Sequence, residues 1–242
     1  MHAAVQYIHQ RHGTISFAVR TEHKLWGYHP GRTQASQSVL KAMLMVAYLN
    51  RRSVRSRPLR SYDLALLSPM IRHSDNLAAL RVREIVGAGA LYRIAHAAGM
   101  REFRAAPAGS WWHSRISAID QTRLFLHFER FVVRRHRGVA ITLLRTITPS
   151  QRWGFGRVQP RGWRLYFKGG WGAGTGAYDH QIALLIRGRA RVSVAVLTVN
   201  DGTHSYGKET LRGVARRLLR GLVRQRVDGG CRLRPRRHHH RA

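Results

Sequence analysis

Three short stretches of the 242-residue chain carry side chains able to make and break an acyl bond. The first is Ser38-Val39-Leu40-Lys41. Three residues are close to one helical turn, so a hydroxyl and an amine at this spacing share one face of a helix that starts here. The helix N-terminus adds positive potential beside the hydroxyl. A lysine taken out of water among other cations gives up its proton more readily and becomes a base for the serine. Arginine cannot take that part, because it stays protonated at any working pH. The chain holds 39 Arg and 4 Lys (Lys24, Lys41, Lys168 and Lys208), so a lysine inside such a motif, at Lys41 and Lys168, points to a site that needs an amine.

Taken alone, Ser-x-x-Lys is weak: this composition gives roughly 0.2 chance matches. Ser74-Asp75-Asn76 is stronger, with about 0.004 expected by chance. All three residue types also favour helix N-caps, and an apolar helical run follows, so a cap is the competing reading. The third stretch, Lys168-Gly169-Gly170, follows the β-rich residues 163–167 and reads as the end of that strand, with Trp171 next. By itself it is a lysine and two glycines in a turn.

The elements that must position these residues follow from periodicity. Residues 1–12 read as a short helix, and 14–21 and 25–29 as two strands, with Pro30-Gly31 breaking the chain. From Ser38 a helix buried on most sides begins, and a basic Ser- and Pro-containing connection covers 51–60. Residues 62–67, 77–85 and 90–98 read as helices, the second stopped by Gly87 to Gly89 and the third by Gly99. Residues 105–114, with paired Trp111 and Trp112, read as a loop, and 117–133 as one long amphipathic helix. Strands return at 163–167, 181–186 and 192–199, with turns at 172–174 and 187–191, before a closing helix at 208–227. Strands split by a helical block predict an α/β (α+β) sandwich: a five-stranded antiparallel sheet from both chain ends, flanked by terminal helices, with an all-α insertion. A single domain over 1–228 is expected, with sheet parts 1–37 and 151–228, the insertion at 38–150, and a disordered basic tail at 229–242.

In this order the three motifs resemble the signature of class A β-lactamases and penicillin-binding proteins, a superfamily of serine hydrolases. The surroundings of Ser74-Asp75-Asn76, from Ile71 to Ala79, are similar to the family's segment, and the resemblance covers roughly residues 5–225. It implies that Ser38 attacks a carbonyl carbon and is acylated, with Lys41 as general base or proton shuttle. Ser74 would pass the proton to the leaving nitrogen. Asn76 would hold the Lys41 amine and a substrate amide, and Asp75 would be structural. Lys168 would bind a substrate carboxylate and bias Ser74. The backbone N–H groups of Ser38 and Trp171, beside Gly170, would form the oxyanion hole. The substrate expected is a β-lactam or a peptidoglycan-like peptide, and no cofactor or metal is called for.

Two departures bear on this. Gly169 stands where the family has a Thr or Ser whose hydroxyl touches the substrate carboxylate. Class A members also carry a glutamate that activates the deacylating water. The matching loop, roughly 105–114, holds no acid, and Glu102 is the nearest carboxylate. Slow deacylation is therefore expected, as in a DD-peptidase. A non-catalytic or acyl-trapping binder of cell-wall peptide is the alternative.

The formal charge of +32 predicts non-specific adherence to anionic polymers, unless the scattered arginines reflect compositional bias. No helix-turn-helix or zinc motif is present to read bases, so specific nucleic-acid binding is not expected. Cys231 has no partner for an internal disulfide. The His238-His239-His240 triplet reads as part of a solvated tail rather than a metal site. Residues 1–10 lack the apolar core of a signal peptide, and no transmembrane segment is visible. The resemblance implies work at the cell envelope or outside the cell. A missing leader or a cytoplasmic location both stay open.

Overall fold

In the computed structural model, which describes residues 1–172 and 177–224, the two β-rich ends of the chain meet in one sheet. Its strands are β1 (Thr14–Arg20), β2 (Leu25–Tyr28), β5 (Arg164–Gly172), β6 (Tyr178–Arg187) and β7 (Ala190–Val199), in the order β2-β1-β7-β6-β5. All pairs are antiparallel, and the first and last segments interleave through Phe17 opposite Val196 and Ala18 opposite Ala195. A short second sheet pairs β3 (Thr33–Ala35) with β4 (Arg115–Ser117). The five-stranded antiparallel sheet expected from the sequence is therefore present.

Long unbroken buried runs in β6 and β7 mean that both faces of the sheet are covered. The N-terminal helix α1 (His2–Ile8) packs against α8 (His204–Leu218), which lies on β6 and β7 and is followed by α9 (Arg220–Arg224). From the helical block, α6 (Ala118–Leu126) packs on β1 and β7. The other helices of the block are α2 (Leu40–Leu49), α3 (Arg52–Arg55), α4 (Ser61–Ser68), α5 (Asn76–Ala97) and α7 (Arg137–Arg145). All ten residues of α2 are buried, which accounts for its nearly uniform apolar sequence.

Several expectations need correction. The helix foreseen over 117–133 stops at Leu126, because His127 leaves helical geometry (φ −126°, ψ 41°). The Arg191 guanidinium takes the Leu126 carbonyl at 2.8 Å and so satisfies the freed end, while Phe128 turns back onto Phe125. Helix α7 and the β3–β4 pair were not foreseen. The two helices foreseen at 77–85 and 90–98 join into α5, but Gly87 breaks it (φ 69°, ψ 167°), as its glycine predicts. The Lys168-Gly169-Gly170 motif lies inside β5 rather than at its end, with pairing continuing to Gly172 opposite Tyr178. The turn expected at 172–174 reaches into 173–176, and the closing helix reaches past 224. These parts, the basic tail, Cys231 and the histidine triplet lie outside the described residues. Among those described, no helix is long and apolar enough to cross a membrane.

Candidate active site

The segment that enters α2 is held from three sides. Buried His180 on β6 donates Nε2–H to the Ala35 carbonyl at 2.9 Å and accepts the Thr198 N–H at Nδ1. Burial lowers its pKa to about 4, so it stays neutral in this bridging form. Ser36 N–H donates to the Ser114 carbonyl at 2.7 Å, and its hydroxyl donates to the Trp112 carbonyl, which ties the tryptophan loop to this segment. Gln37 sits in left-handed geometry (φ 47°), a strained conformation for a side-chain-bearing residue directly before Ser38. Ser38 then lies in a single 3-10 turn, Gln37–Val39, that runs into α2. Lys41 follows one turn later in α2, and its recorded hydrogen bonds go to Ser74 and Asn76.

Lys41 is fully buried, and its amine lies within hydrogen-bonding distance of three oxygens, the Ser74 carbonyl at 2.5 Å, Asn76 Oδ1 at 2.7 Å and Ser74 Oγ at 3.2 Å; as an ammonium it donates to all three, and as a neutral amine to two, with its lone pair left for a proton. Burial first, and the Lys168 charge second, lower its pKa to about 6. Lys168 is also buried, and donates to Ser74 Oγ at 2.9 Å and to the Gly169 carbonyl at 2.7 Å. Burial lowers its pKa to about 7. The Ser74 hydroxyl therefore sits between two amines that titrate near neutrality.

Ser74 reaches this place through local strain. A single π-helical turn, Pro69–His73, precedes it, and its own φ is 62°. Asp75 then caps α5 by accepting the Ala78 N–H at 2.7 Å. The capping reading of Ser74-Asp75-Asn76 is thus correct for Asp75, while Ser74 and Asn76 turn to the lysine.

Strand β5 closes the other side. A Cβ on Gly170 would lie 2.7 Å from Ser38 N and 2.8 Å from Val39 N, so only glycine lets the strand approach the Ser38 backbone. A Cβ on Gly169 would lie 2.9 Å from the Trp153 ring. Trp153 is fixed there by Gln181, the cross-strand partner of Gly169. Gln181 donates Nε2–H to the Trp153 carbonyl and accepts the Phe155 N–H. The space above position 169 is therefore taken by an indole. Trp171, half exposed, stacks on His204 at 4.6 Å, and His204 Nδ1 bonds buried Asp179 at 2.6 Å.

These elements enclose a cleft of about 360 Å³ lined by Ser38, Ser74, Asn76, Trp111, Trp112 and Trp171, with Gln37, His73, Gln151 and Gly172 completing it. Ser38, Ser74, Asn76 and Trp171 of the sequence-derived candidates face it, Lys41 and Lys168 lie buried behind it, and Asp75 serves the helix. Glu102 does not line the cleft. Its neighbourhood is fixed instead by its backbone N–H donating to Asp120. No described residue lining the cleft is a carboxylate. The Lys41 amine is faced by the buried Trp111 ring, 5.0 Å from its centroid. Sequence reasoning placed Trp111 and Trp112 in a loop without assigning them to the site, and missed Trp153, Gln181 and His204. The one signal available was the rarity of paired tryptophans in a loop.

A model of the beta-lactamase enzyme family matches residues 55–222, which include Ser74, Asn76 and Lys168 but begin after Ser38 and Lys41. Among solved structures, the chain superposes on a beta-lactamase from Sphaerobacter thermophilus with a TM-score of 0.78 at 18% identity, covering 92% of this chain and 98% of that one. A beta lactamase from Xanthomonas campestris gives 0.77 at 16% identity, over 92% and 96%. A class A beta-lactamase from Mycobacterium abscessus gives 0.74 at 19%, over 90% and 97%. At these identities the likeness is one of fold. No curated protein matches the chain.

Proposed function

The chain belongs to the beta-lactamase enzyme family, and from that premise we propose that it is a serine hydrolase acylated at Ser38 by a β-lactam or a related amide. The observation that carries this reading is the Ser74 hydroxyl held between Lys41 and Lys168, both with lowered pKa, in the cleft that Ser38 lines. A neutral Lys41 amine has a lone pair for the Ser38 proton as Oγ bonds the carbonyl carbon. The proton then passes through Ser74 to the amide nitrogen as the C–N bond breaks, leaving an ester on Ser38. The N–H groups of Ser38 and Trp171 are the proposed donors to the oxyanion. Water completes the hydrolysis by cleaving that ester.

The second half is the slow one. Among the described residues the cleft is lined by no carboxylate and Trp111 faces the Lys41 amine, which leaves His73 as the one acid–base side chain lining it that could assist the attacking water. This favours a long-lived acyl-enzyme, as expected of a penicillin-binding peptidase. The test is rapid-mixing absorbance with a chromogenic cephalosporin. The expected trace is a burst of about one equivalent followed by slow turnover, absent in Ser38→Ala. Fast steady turnover without a burst overturns the slow-deacylation reading, and an unchanged trace in Ser38→Ala overturns the assignment of Ser38.

A further inference from the structure

A second, larger cavity of about 810 Å³ opens at the far end of α2 from Ser38. It lies between the end of α2, the second half of α5 beyond the Gly87 break, and the 3-10 turn Phe128–Phe131. Val86, Ile94 and Phe131 give it apolar walls, and Arg51, Arg52, Arg93 and Arg130 stand around it. None of these four arginines forms an ion pair with a described residue, and no described residue lining the cavity is a carboxylate. Asn50 fixes one wall, donating to the Phe131 carbonyl at 2.6 Å and accepting the Val133 N–H at 2.9 Å.

Unpaired arginines are common in a chain of this charge, so their presence alone argues nothing. Their convergence on a ligand-sized, apolar-walled cavity is the specific observation. The cavity lined by Arg157, Arg161, Arg216 and Arg220 is less than half as large, at about 360 Å³. Cavities of several hundred cubic ångströms with apolar walls and a few convergent polar groups are the usual form of small-molecule sites. Guanidinium groups match phosphate oxygens in a fork, and a phosphate monoester near neutral pH carries nearly two charges.

We infer that this cavity binds an organic phosphate monoester, with its apolar body against Phe131 and Ile94 and its phosphate among the four arginines. The phosphate could be presented by a soluble molecule or by an anionic lipid headgroup, and the chemistry of recognition is the same. The site is independent of the serine cleft.

Titration calorimetry of the whole protein with 2-naphthyl phosphate tests this, beside inorganic phosphate and 2-naphthol. The expected result is one saturable site, with affinity at least about ten-fold above either fragment. Arg93→Gln with Arg130→Gln should weaken it by at least about ten-fold. Arg161→Gln with Arg216→Gln, exposed arginines of the smaller cavity, should leave it unchanged, as should Ser38→Ala. Arg93, Arg130, Arg161 and Arg216 are all exposed, and thermal melts check that the variants fold. Co-sedimentation with phosphatidic acid vesicles separates the sources. Capture dependent on Arg93 and Arg130 supports the site with a lipid ligand, and soluble binding alone supports it with a soluble one. Several equivalents bound, equal loss in both arginine pairs, or no saturable binding in either arm overturns the proposal.

Discussion

Two effects act on the Lys41 amine in the same direction: burial, and the charge of Lys168. With its pKa lowered to about 6, the amine is mostly neutral, and able to accept a proton, above that pH. The rate of labelling by a fluorescent penicillin should therefore rise as pH passes through about 6 and then level off. Lys41→Arg, charged throughout, should lower it by about 10²–10⁴ at every pH. A rate flat from pH 5 to 8 contradicts the assignment. The same shift has a consequence for stability. Between about 6 and 10.5 the folded state binds fewer protons at Lys41 than the unfolded state, so stability from this group rises with pH across that window. Urea midpoints at pH 6.5 and 9 should differ less in Lys41→Met than in wild type. At Gly170 a single methyl would press on Ser38 N, so Gly170→Ala should cost about 1–3 kcal/mol and slow labelling strongly. The same variant labelled at the wild-type rate would show that β5 does not set the Ser38 backbone. The clustering of Lys41, Ser74 and Lys168 beside the cleft that Ser38 lines was legible because few residue types at such spacing can do the proposed chemistry. Trp153, Gln181 and His204 were not, because they reach the site only through strand register and packing.

At the scale of elements, most helices and strands with a simple period were read correctly, and ends set by tertiary partners were not. Helix α6 ends at His127 because Arg191, 64 residues after it in sequence, supplies the partner for its last carbonyl. Nothing local to 117–133 announces that. Helix α7 is different: Ala140, Leu143 and Leu144 follow helical spacing and are all buried, so its signal was present but masked by the flanking arginines. The Gly87 break was legible from glycine alone. A Cβ there would meet nothing within 4 Å, so Gly87→Ala is opposed by its left-handed backbone and not by crowding. The expected cost is about 1 kcal/mol or more, read as a lowered denaturant midpoint, and an unchanged midpoint would show that α5 straightens freely.

For the molecule as a whole, the net charge of +32 and the serine cleft are separate matters. The arginines are spread over every segment, while the described residues lining the cleft are serines, amides, His73, Gly172 and tryptophans, with no arginine among them. Adherence to a short DNA duplex should therefore be electrostatic, weakening by about 10³ or more between 50 and 200 mM salt with no preference for sequence. Binding that survives the higher salt would point to a dedicated nucleic-acid surface. The central claim, that Ser38 is a nucleophile whose ester persists, is tested most directly by intact-protein mass spectrometry after exposure to a penicillin, wild type beside Ser38→Ala. Wild type alone should gain the mass of one penicillin, still present after hours. No adduct in wild type, or an equal adduct in Ser38→Ala, would contradict it.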